Sequence, residues 1–274
     1  MIYILFGVVI IFIIFIALIV FAKKRKKRLC NDYDDNYFKV QNDWLVEQFR
    51  TRNVYVFGKK RTGKDLLFAH VIYLRGEKHY ANMPYDDNTE VIELKEINVG
   101  GNTFEHIIEG QIEPFEPQFE FGRDIYLSDA GIFFPSQYHR ILEQKFPDMP
   151  IFFALSGHLY ELNVHCNCQE LGRVWDKLRE QADCYIRVLG CKWYRNYALV
   201  SCISYTDYNA AERKISPPSP KKSEKKLLEF YEKYGEVVYR TFKIYKSYLK
   251  YDTHYFRHKF FKNWSEEVLN AETR

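Results

Sequence analysis

Apolar and polar positions follow three different rhythms along this chain. From Ile2 to Ala22 there is no charged residue, and Ile, Val, Phe and Leu dominate. At 1.5 Å of rise per residue, about 20 such residues cross a bilayer core about 30 Å thick. Residues 1–22 are therefore expected to form one membrane-spanning helix. The six basic residues Lys23 to Arg28 follow it. A cleaved secretory leader has the reverse order, with positive charge before a shorter apolar stretch and small residues at a cleavage site. Basic flanks stay on the cytoplasmic side, which predicts a single-pass protein whose C-terminal body is cytoplasmic. The span beside it argues for an orientation anchor over a nucleic-acid or targeting patch.

From Asn53 the rhythm shortens into apolar runs of strand length separated by helix-like stretches. Strands are predicted at Val54–Phe57, His79–Asn82, Val91–Leu94 and Ile125–Leu127, and helices at Asp65–Leu74 and Ser136–Gln144. Ile151–Leu155 is ambiguous between the two. Leu162–Cys168 alternates as a strand does, Arg173–Gln181 has helical character, and Cys184–Leu189 with Tyr197–Tyr205 form a hairpin pattern around Gly190 and Asn196. Strands alternating with helices imply an α/β fold with a mainly parallel sheet covered on both faces. A ligand is then expected at the carboxyl ends of the strands. The predicted organisation is a transmembrane helix over 1–22, a basic juxtamembrane linker over 23–50, a core over 51–215 and an extension over 216–274 that packs on the core.

The third rhythm begins after Ser216-Pro217-Pro218-Ser219-Pro220, a short stiff linker with a helix start at its end. Residues 221–262 hold twelve basic against five acidic side chains, with seven tyrosines interleaved. Leu228, Tyr231, Tyr234, Val238, Phe242, Tyr245 and Leu249 keep three- and four-residue spacing. This suits a long amphipathic helix, although Val237–Tyr245 reads equally as a strand. Basic charge with exposed aromatics would suit single-stranded DNA; burial of the aromatic stripe on the core is the competing reading.

The chain carries a formal charge of +4, and six positive charges lie in the juxtamembrane run, so the body is close to neutral. Six cysteines at 30, 166, 168, 184, 191 and 202 show no paired spacing of the CxxC kind. A cytosolic domain keeps them reduced. Cys166 and Cys168 with His165 are a weak metal pattern, and core thiols are the better reading.

The most specific chemistry is the run Gly58-Lys59-Lys60-Arg61-Thr62-Gly63-Lys64-Asp65, between a predicted strand and a predicted helix. It is a phosphate-binding loop in every position but the last. Backbone N–H groups and a helix N-terminus surround the phosphates of ATP, and Lys64 reaches the β and γ oxygens. The eighth position ordinarily supplies a hydroxyl to Mg²⁺, and here it is Asp65. A second acidic element is expected at the end of a neighbouring strand, and Ile125-Tyr126-Leu127-Ser128-Asp129-Ala130 is the best candidate.

That segment, continuing Gly131-Ile132-Phe133-Phe134-Pro135, resembles the zonular occludens toxin and filamentous-phage assembly protein family, a branch of the ring-forming DNA-pumping ATPases of the FtsK and HerA group. Aligned on Ala130, Phe134 and Pro135, Ser128 takes the place of the family's metal-associated Asp and Asp129 that of its catalytic Glu. Asn82-Met83-Pro84 resembles the family's Asn-x-Pro, Leu162 to Gln169 its strand ending in a sensor Gln, Arg173 with Leu178-Arg179 its following helix, and Tyr251-Asp252-Thr253 its Tyr-Asp-Ser/Thr. His158 lies in a stretch similar to its His-containing segment, where a structural histidine is the plainer reading.

The resemblance implies catalytic roles for Asp129, for Gln169 as γ-phosphate sensor and for Arg179 as an arginine finger or a surface ion-pair former. It implies Asp65 and Ser128 at Mg²⁺, with hydroxyl and carboxylate exchanged, which leaves an active and a degenerate site both open. The implied protein is a membrane-anchored ATPase of the host inner membrane. It would form a homo-oligomeric ring and couple ATP hydrolysis to phage DNA extrusion or packaging and virion assembly. Its implied partners are phage or plasmid DNA, single-stranded in form, and other virion-assembly membrane proteins. The alternatives are a nucleotide-binding membrane adaptor without turnover and a conjugative or mobilisation pump.

Overall fold

A computed structural model describes residues 34–92, 120–145, 147, 149–159, 161–219 and 223–251. The expected membrane span at 1–22 and its basic flank lie outside the described residues. Among the described residues no helix is long and apolar enough to cross a membrane. The chain divides into two compact units, Met1–Val40 and Gln41–Arg274. Of the first, the described part is the opening of helix α1 (Asp35–Thr51), where the Asp34 carboxylate accepts from the Tyr37 N–H at 2.7 Å.

In the second unit the elements are β1 (Val54–Phe57), α2 (Lys64–Arg75), β2 (His79–Ala81), β3 (Thr89–Val91), β4 (Ile125–Leu127), α3 (Ala130–Phe133), α4 (His139–Lys145) and α5 (Met149–Leu159). They continue with β5 (Val164–Cys168), α6 (Asp176–Arg179), β6 (Cys184–Trp193), β7 (Tyr197–Tyr205), α7 (Tyr208–Glu212), α8 (Glu224–Tyr234) and β8 (Val237–Tyr245). The eight strands form one sheet in the order β3-β2-β4-β5-β1-β6-β7-β8. Every pairing from β3 through β6 is parallel, and β6–β7 and β7–β8 are antiparallel.

Strand alternation builds a core on each face. In β1, Tyr55 and Phe57 face one layer with Ile125, Leu127, Cys166 and Cys168, and Val54 and Val56 face the other with Leu67, Phe68 and Tyr126. Both faces are thus covered, as the run lengths predict. Cys166 and Cys168 are core thiols, whereas His165 lies on the opposite face, its ring against Phe49 and Tyr126. Among the described residues no cluster of three or more His, Cys, Asp or Glu side chains could hold a metal.

A buried polar joint fixes the amino ends of the strands. The Asp124 carboxylate pairs with Arg75 and accepts from the Asn163 N–H at 2.7 Å. The Val54 N–H donates to His165 Nδ1 at 3.3 Å, so the ring proton sits on Nε2 and faces Asp124 Oδ2 at 3.3 Å. Burial holds His165 below the usual imidazole range, in its neutral form.

Several boundaries differ from expectation. The predicted linker 23–50 contains α1 from Asp35 on, and Leu45 and Phe49 are fully buried against Phe68 and Tyr126. Burying one such phenylalanine contributes roughly 1.5–3 kcal/mol, which favours packing this stretch on the core. The third strand is Thr89–Val91, starting two residues earlier than predicted, and 93 and 94 of the predicted strand lie outside the described residues. Ile151–Leu155 is helical within α5. Ser136–Tyr138 is a 3-10 turn leading into α4, and Arg173–Gln181 holds only one α-helical turn, α6, after a 3-10 turn at Leu171–Arg173. The long C-terminal helix is two elements. Gly235, at φ 66°, ends α8, and β8 then enters the sheet as an edge strand.

Candidate nucleotide site

The loop from Gly58 to Lys64 leaves the carboxyl end of β1 and is tied to its neighbours by backbone. The Gly58 N–H donates to the Cys168 carbonyl at the end of β5, at 3.2 Å. A Cβ at Gly58 would lie 2.5 Å from the Val188 carbonyl oxygen of β6, so only glycine fits. Thr62 Oγ1 donates to the Lys59 carbonyl at 2.8 Å and closes the loop. Gly63, at φ 102°, turns the chain into α2, whose first backbone bond runs from Leu67 N–H to the Gly63 carbonyl at 3.0 Å.

Lys64 is 6% exposed, and its Nζ donates to the Lys59 carbonyl at 3.3 Å. Its ammonium is thus folded back over the loop rather than extended into water, while Lys59, Lys60 and Arg61 are exposed. A closed turn, a helix N-terminus and an inward cation are the features a phosphate requires. The residues present fit a triphosphate.

Asp65, Ser128 and Asp129 come together at this edge, although not across adjacent strands. β5 lies between β1 and β4, so the acidic element is one strand further from the loop than expected. The strand between supplies the connection through Asn167, which is fully buried. Asn167 Oδ1 accepts from the Asp129 N–H at 2.9 Å, which fixes the amide orientation. Its Nδ2 then donates to Asp65 Oδ1 at 2.7 Å and to Ser128 Oγ at 3.1 Å.

Ser128 is held from every side. Its backbone N–H donates to Asn82 Oδ1 at 2.8 Å, and its carbonyl accepts from Asn82 Nδ2 at 2.8 Å. Its hydroxyl contacts Tyr85 OH, accepts from Asn167 and donates to Asp65 Oδ1 at 3.4 Å. Tyr85 is buried, and burial and the charge of Asp65 keep its phenol protonated, so it donates to Ser128. That pattern uses the one hydrogen and both lone pairs of the serine oxygen. Asp65 keeps its second carboxylate oxygen without a hydrogen-bond partner among the described residues. One carboxylate oxygen fits Mg²⁺, which retains several waters and takes few protein ligands beside phosphate oxygens; the Ser128 hydroxyl supports that carboxylate from behind.

Asp129 adopts a left-handed conformation, φ 49°, at the turn between β4 and α3. Such a conformation in a non-glycine residue marks an imposed geometry, here imposed by Asn167 on one side and buried Ala130 and Phe133 on the other. Burial pushes the Asp129 carboxyl above the usual carboxylate range, Asp65 pushes it further, and Lys64 and Lys60 oppose the rise. It lines a pocket of about 60 Å³ with Gly131, Cys168, Gln169 and Arg173, room for water rather than for a nucleotide.

Of the other predicted residues, Gln169 lines that pocket directly after β5. Arg179 does not reach it. Its Nη1 donates to the Leu171 carbonyl at 3.4 Å, its guanidinium lies 5.0 Å from the Tyr208 ring, and its Nε is buried without a hydrogen bond. His158 is exposed near the end of α5. Tyr251 packs its ring against Tyr85, 5.7 Å between centroids, and Asp252 and Thr253 lie outside the described residues. Asn167 and Tyr85 are the site residues that sequence reasoning missed. The available signal was a polar side chain inside the apolar alternation His165-Cys166-Asn167-Cys168.

No family model and no curated protein matches the chain. Among solved structures it is similar to the N-terminal domain of zonular occludens toxin from Neisseria meningitidis, at 12% identity over 73% of this chain and 97% of that one, with a TM-score of 0.44. It is also similar to the genome-packaging NTPase B204 of Sulfolobus turreted icosahedral virus 2. In complex with sulfate that structure shows 13% identity over 50% of this chain and 74% of the other, and with ATP-gammaS 13% over 68% and 82%, each at a TM-score of 0.32. Likenesses of this size carry no argument about activity, so the chemistry of the site rests on the phosphate loop and on the Asn167 bridge.

Proposed function

We propose that this chain is a P-loop ATPase, and that residues 2–22 anchor it in a cytoplasmic membrane with the body on the cytoplasmic side. The observation that carries the reading is that Lys64, Asp65 and Asp129 converge at one edge of the sheet, the Asp65 carboxylate and the Asp129 backbone N–H both being tied to a single buried amide. In this reading the Gly58–Lys64 backbone and the Lys64 ammonium bind the β and γ phosphates. Asp65 would hold Mg²⁺, which when bound neutralises charge on the phosphate oxygens. Asp129 faces a water-sized pocket with a raised proton affinity, which suits a base that orients and polarises the attacking water. Gln169, on the far wall, senses whether the γ-phosphate is present.

The motif resemblance extends the proposal to a homo-oligomeric ring that drives phage or plasmid DNA across the host inner membrane beside other virion-assembly proteins. Arg179 is held within its own chain, so a finger role requires it to leave the Tyr208 ring when a neighbouring subunit docks. The second reading, a nucleotide-binding adaptor without turnover, is favoured by one observation: Ser128 has no lone pair left for a metal.

Purified full-length chain in detergent should bind ATP and release phosphate in a Mg²⁺-dependent manner, faster with single-stranded DNA. Binding without turnover selects the adaptor, and absence of nucleotide binding overturns both readings. The anchor is tested separately. Protease added to intact spheroplasts should leave 58–274 uncut, and cleavage of the body from outside would refute the topology.

A further inference from the structure

Strands β6, β7 and β8 carry a surface that the nucleotide site does not use, and they contain no Asp or Glu. Alternation sends Val188, Val200, Cys202, Phe242 and Ile244 into the core on the α2 side, so the intervening positions point to the other face. The register places Tyr239 beside Ile203 in one row, Lys243 and Lys192 on either side of Leu199 further along, and Tyr245 opposite Tyr197 at the end. Tyr239 is 57% exposed and Tyr245 37%. The Lys243 ammonium lies 5.3 Å and 5.4 Å from the rings of Tyr197 and Tyr245.

We propose that this face binds single-stranded nucleic acid, with bases stacked on Tyr239 and Tyr245 and phosphates held by Lys192 and Lys243. The proposal deepens the ATPase reading and rests on it for the polymer. Three observations select this partner. Strands without acidic residues, with lysines between aromatic rings, match a polymer that offers anionic phosphates and flat bases at regular intervals. An anionic membrane surface, the main rival, takes apolar side chains that insert, and here the two rows between the tyrosines hold Ser201 with Thr241 and a single Leu199 flanked by Lys192 and Lys243. The face is also joined to the phosphate loop. β6 bulges between Val188 and Gly190, and the Val188 carbonyl oxygen is the atom that abuts Gly58.

The test uses the full chain in nanodiscs, titrated with a fluorescent single-stranded oligodeoxynucleotide of mixed sequence at several salt concentrations. Tyr239→Ala with Tyr245→Ala should weaken binding by about ten-fold or more per ring, and Tyr239→Phe with Tyr245→Phe should restore it. Lys192→Gln and Lys243→Gln should each lower the slope of log affinity against log salt by about 0.7. ATP affinity should not change in any of them. Unchanged oligonucleotide affinity in the double alanine variant overturns the assignment of this face while leaving DNA as partner. No oligonucleotide binding by the unmodified chain with normal ATP binding overturns it and leaves the nucleotide site standing. Loss of binding to phosphatidylserine vesicles, rather than to oligonucleotide, in the same variant identifies a lipid surface and also overturns it.

Discussion

Asn167 Nδ2 donates to Asp65 Oδ1 at 2.7 Å, linking the first turn of the phosphate-loop helix to the middle of the sheet. Because the same amide accepts from the Asp129 N–H, one buried side chain holds the Asp65 carboxylate and the backbone of Asp129, the two residues that the proposed chemistry uses. Asn167→Asp removes the donor and places another carboxylate against Asp65. It should reduce both Mg²⁺-dependent nucleotide binding and turnover. Asn167→Ala should mainly reduce turnover, and a double-mutant cycle with Asp65→Ala should show coupling of about 0.5–3 kcal/mol. Additive effects would mean that the bridge is a packing contact only.

Lys64→Ala is expected to abolish ATP binding, since its ammonium is the cation folded over the loop. Lys64 is buried rather than exposed, but its one hydrogen bond is to a loop carbonyl, so the melting temperature should fall by only a few degrees, about 1 kcal/mol or less. Unaltered ATP affinity by calorimetry would remove the phosphate-loop assignment.

Asp129→Asn should keep ATP binding and lower the hydrolysis rate about 10²- to 10⁴-fold, the range of a lost general base. The wild-type rate should also carry a pH signature. A base is active when deprotonated, and burial and Asp65 raise the Asp129 pKa. The acid limb of the rate profile should therefore lie above the usual carboxylate range and vanish in the asparagine variant. A limb unchanged by Asp129→Asn would assign it to another group.

Exchanging the chemistry of positions 65 and 128 tests the metal side. Ser128→Asp alone crowds two carboxylates against Asn167 and Tyr85, and Asp65→Ser alone removes the one carboxylate available to Mg²⁺. Both singles should lose activity across a Mg²⁺ titration. The double variant, with a hydroxyl at 65 and a carboxylate at 128, should recover a substantial part of the rate. Failure of the double to exceed the worse single would show that the two positions do not act on a common metal.

Acid stability should report His70. Burial lowers its pKa from 6.5 to about 4. Its Nε2 faces Asn42 Oδ1 at 3.0 Å, and Nδ1 has no hydrogen-bond partner among the described residues. With the folded pKa below the unfolded one, the neutral ring supports folding fully above pH 6.5, and that support is lost as pH falls toward 4. The loss is roughly 3 kcal/mol across that window. His70→Gln should flatten the dependence of unfolding free energy on pH there by close to one proton, and an unchanged slope would place the titration elsewhere.

The sequence alone determined the phosphate loop and the strand and helix on either side of it; the pairing of Asp65 with Ser128 came from the resemblance of the Ile125–Pro135 segment to a known family. It could do so because these depend on local order: glycines at fixed spacing in a short run, a lysine at the start of a helix, alternation within a strand. It also yielded the hairpin Cys184–Tyr205, whose register follows from its own turn. Strand order was decided only in three dimensions. β5 follows β4 through a crossover that holds α3, α4 and α5 and lies between β1 and β4, a placement no short window contains, and with it came Asn167 as the bridge. Tertiary structure likewise drew α1 into the core through Leu45 and Phe49, and it placed residues 237–245 in the sheet. There the free edge of β7 offered backbone hydrogen bonds that a continued helix could not use, and Gly235 allowed the chain to turn into them.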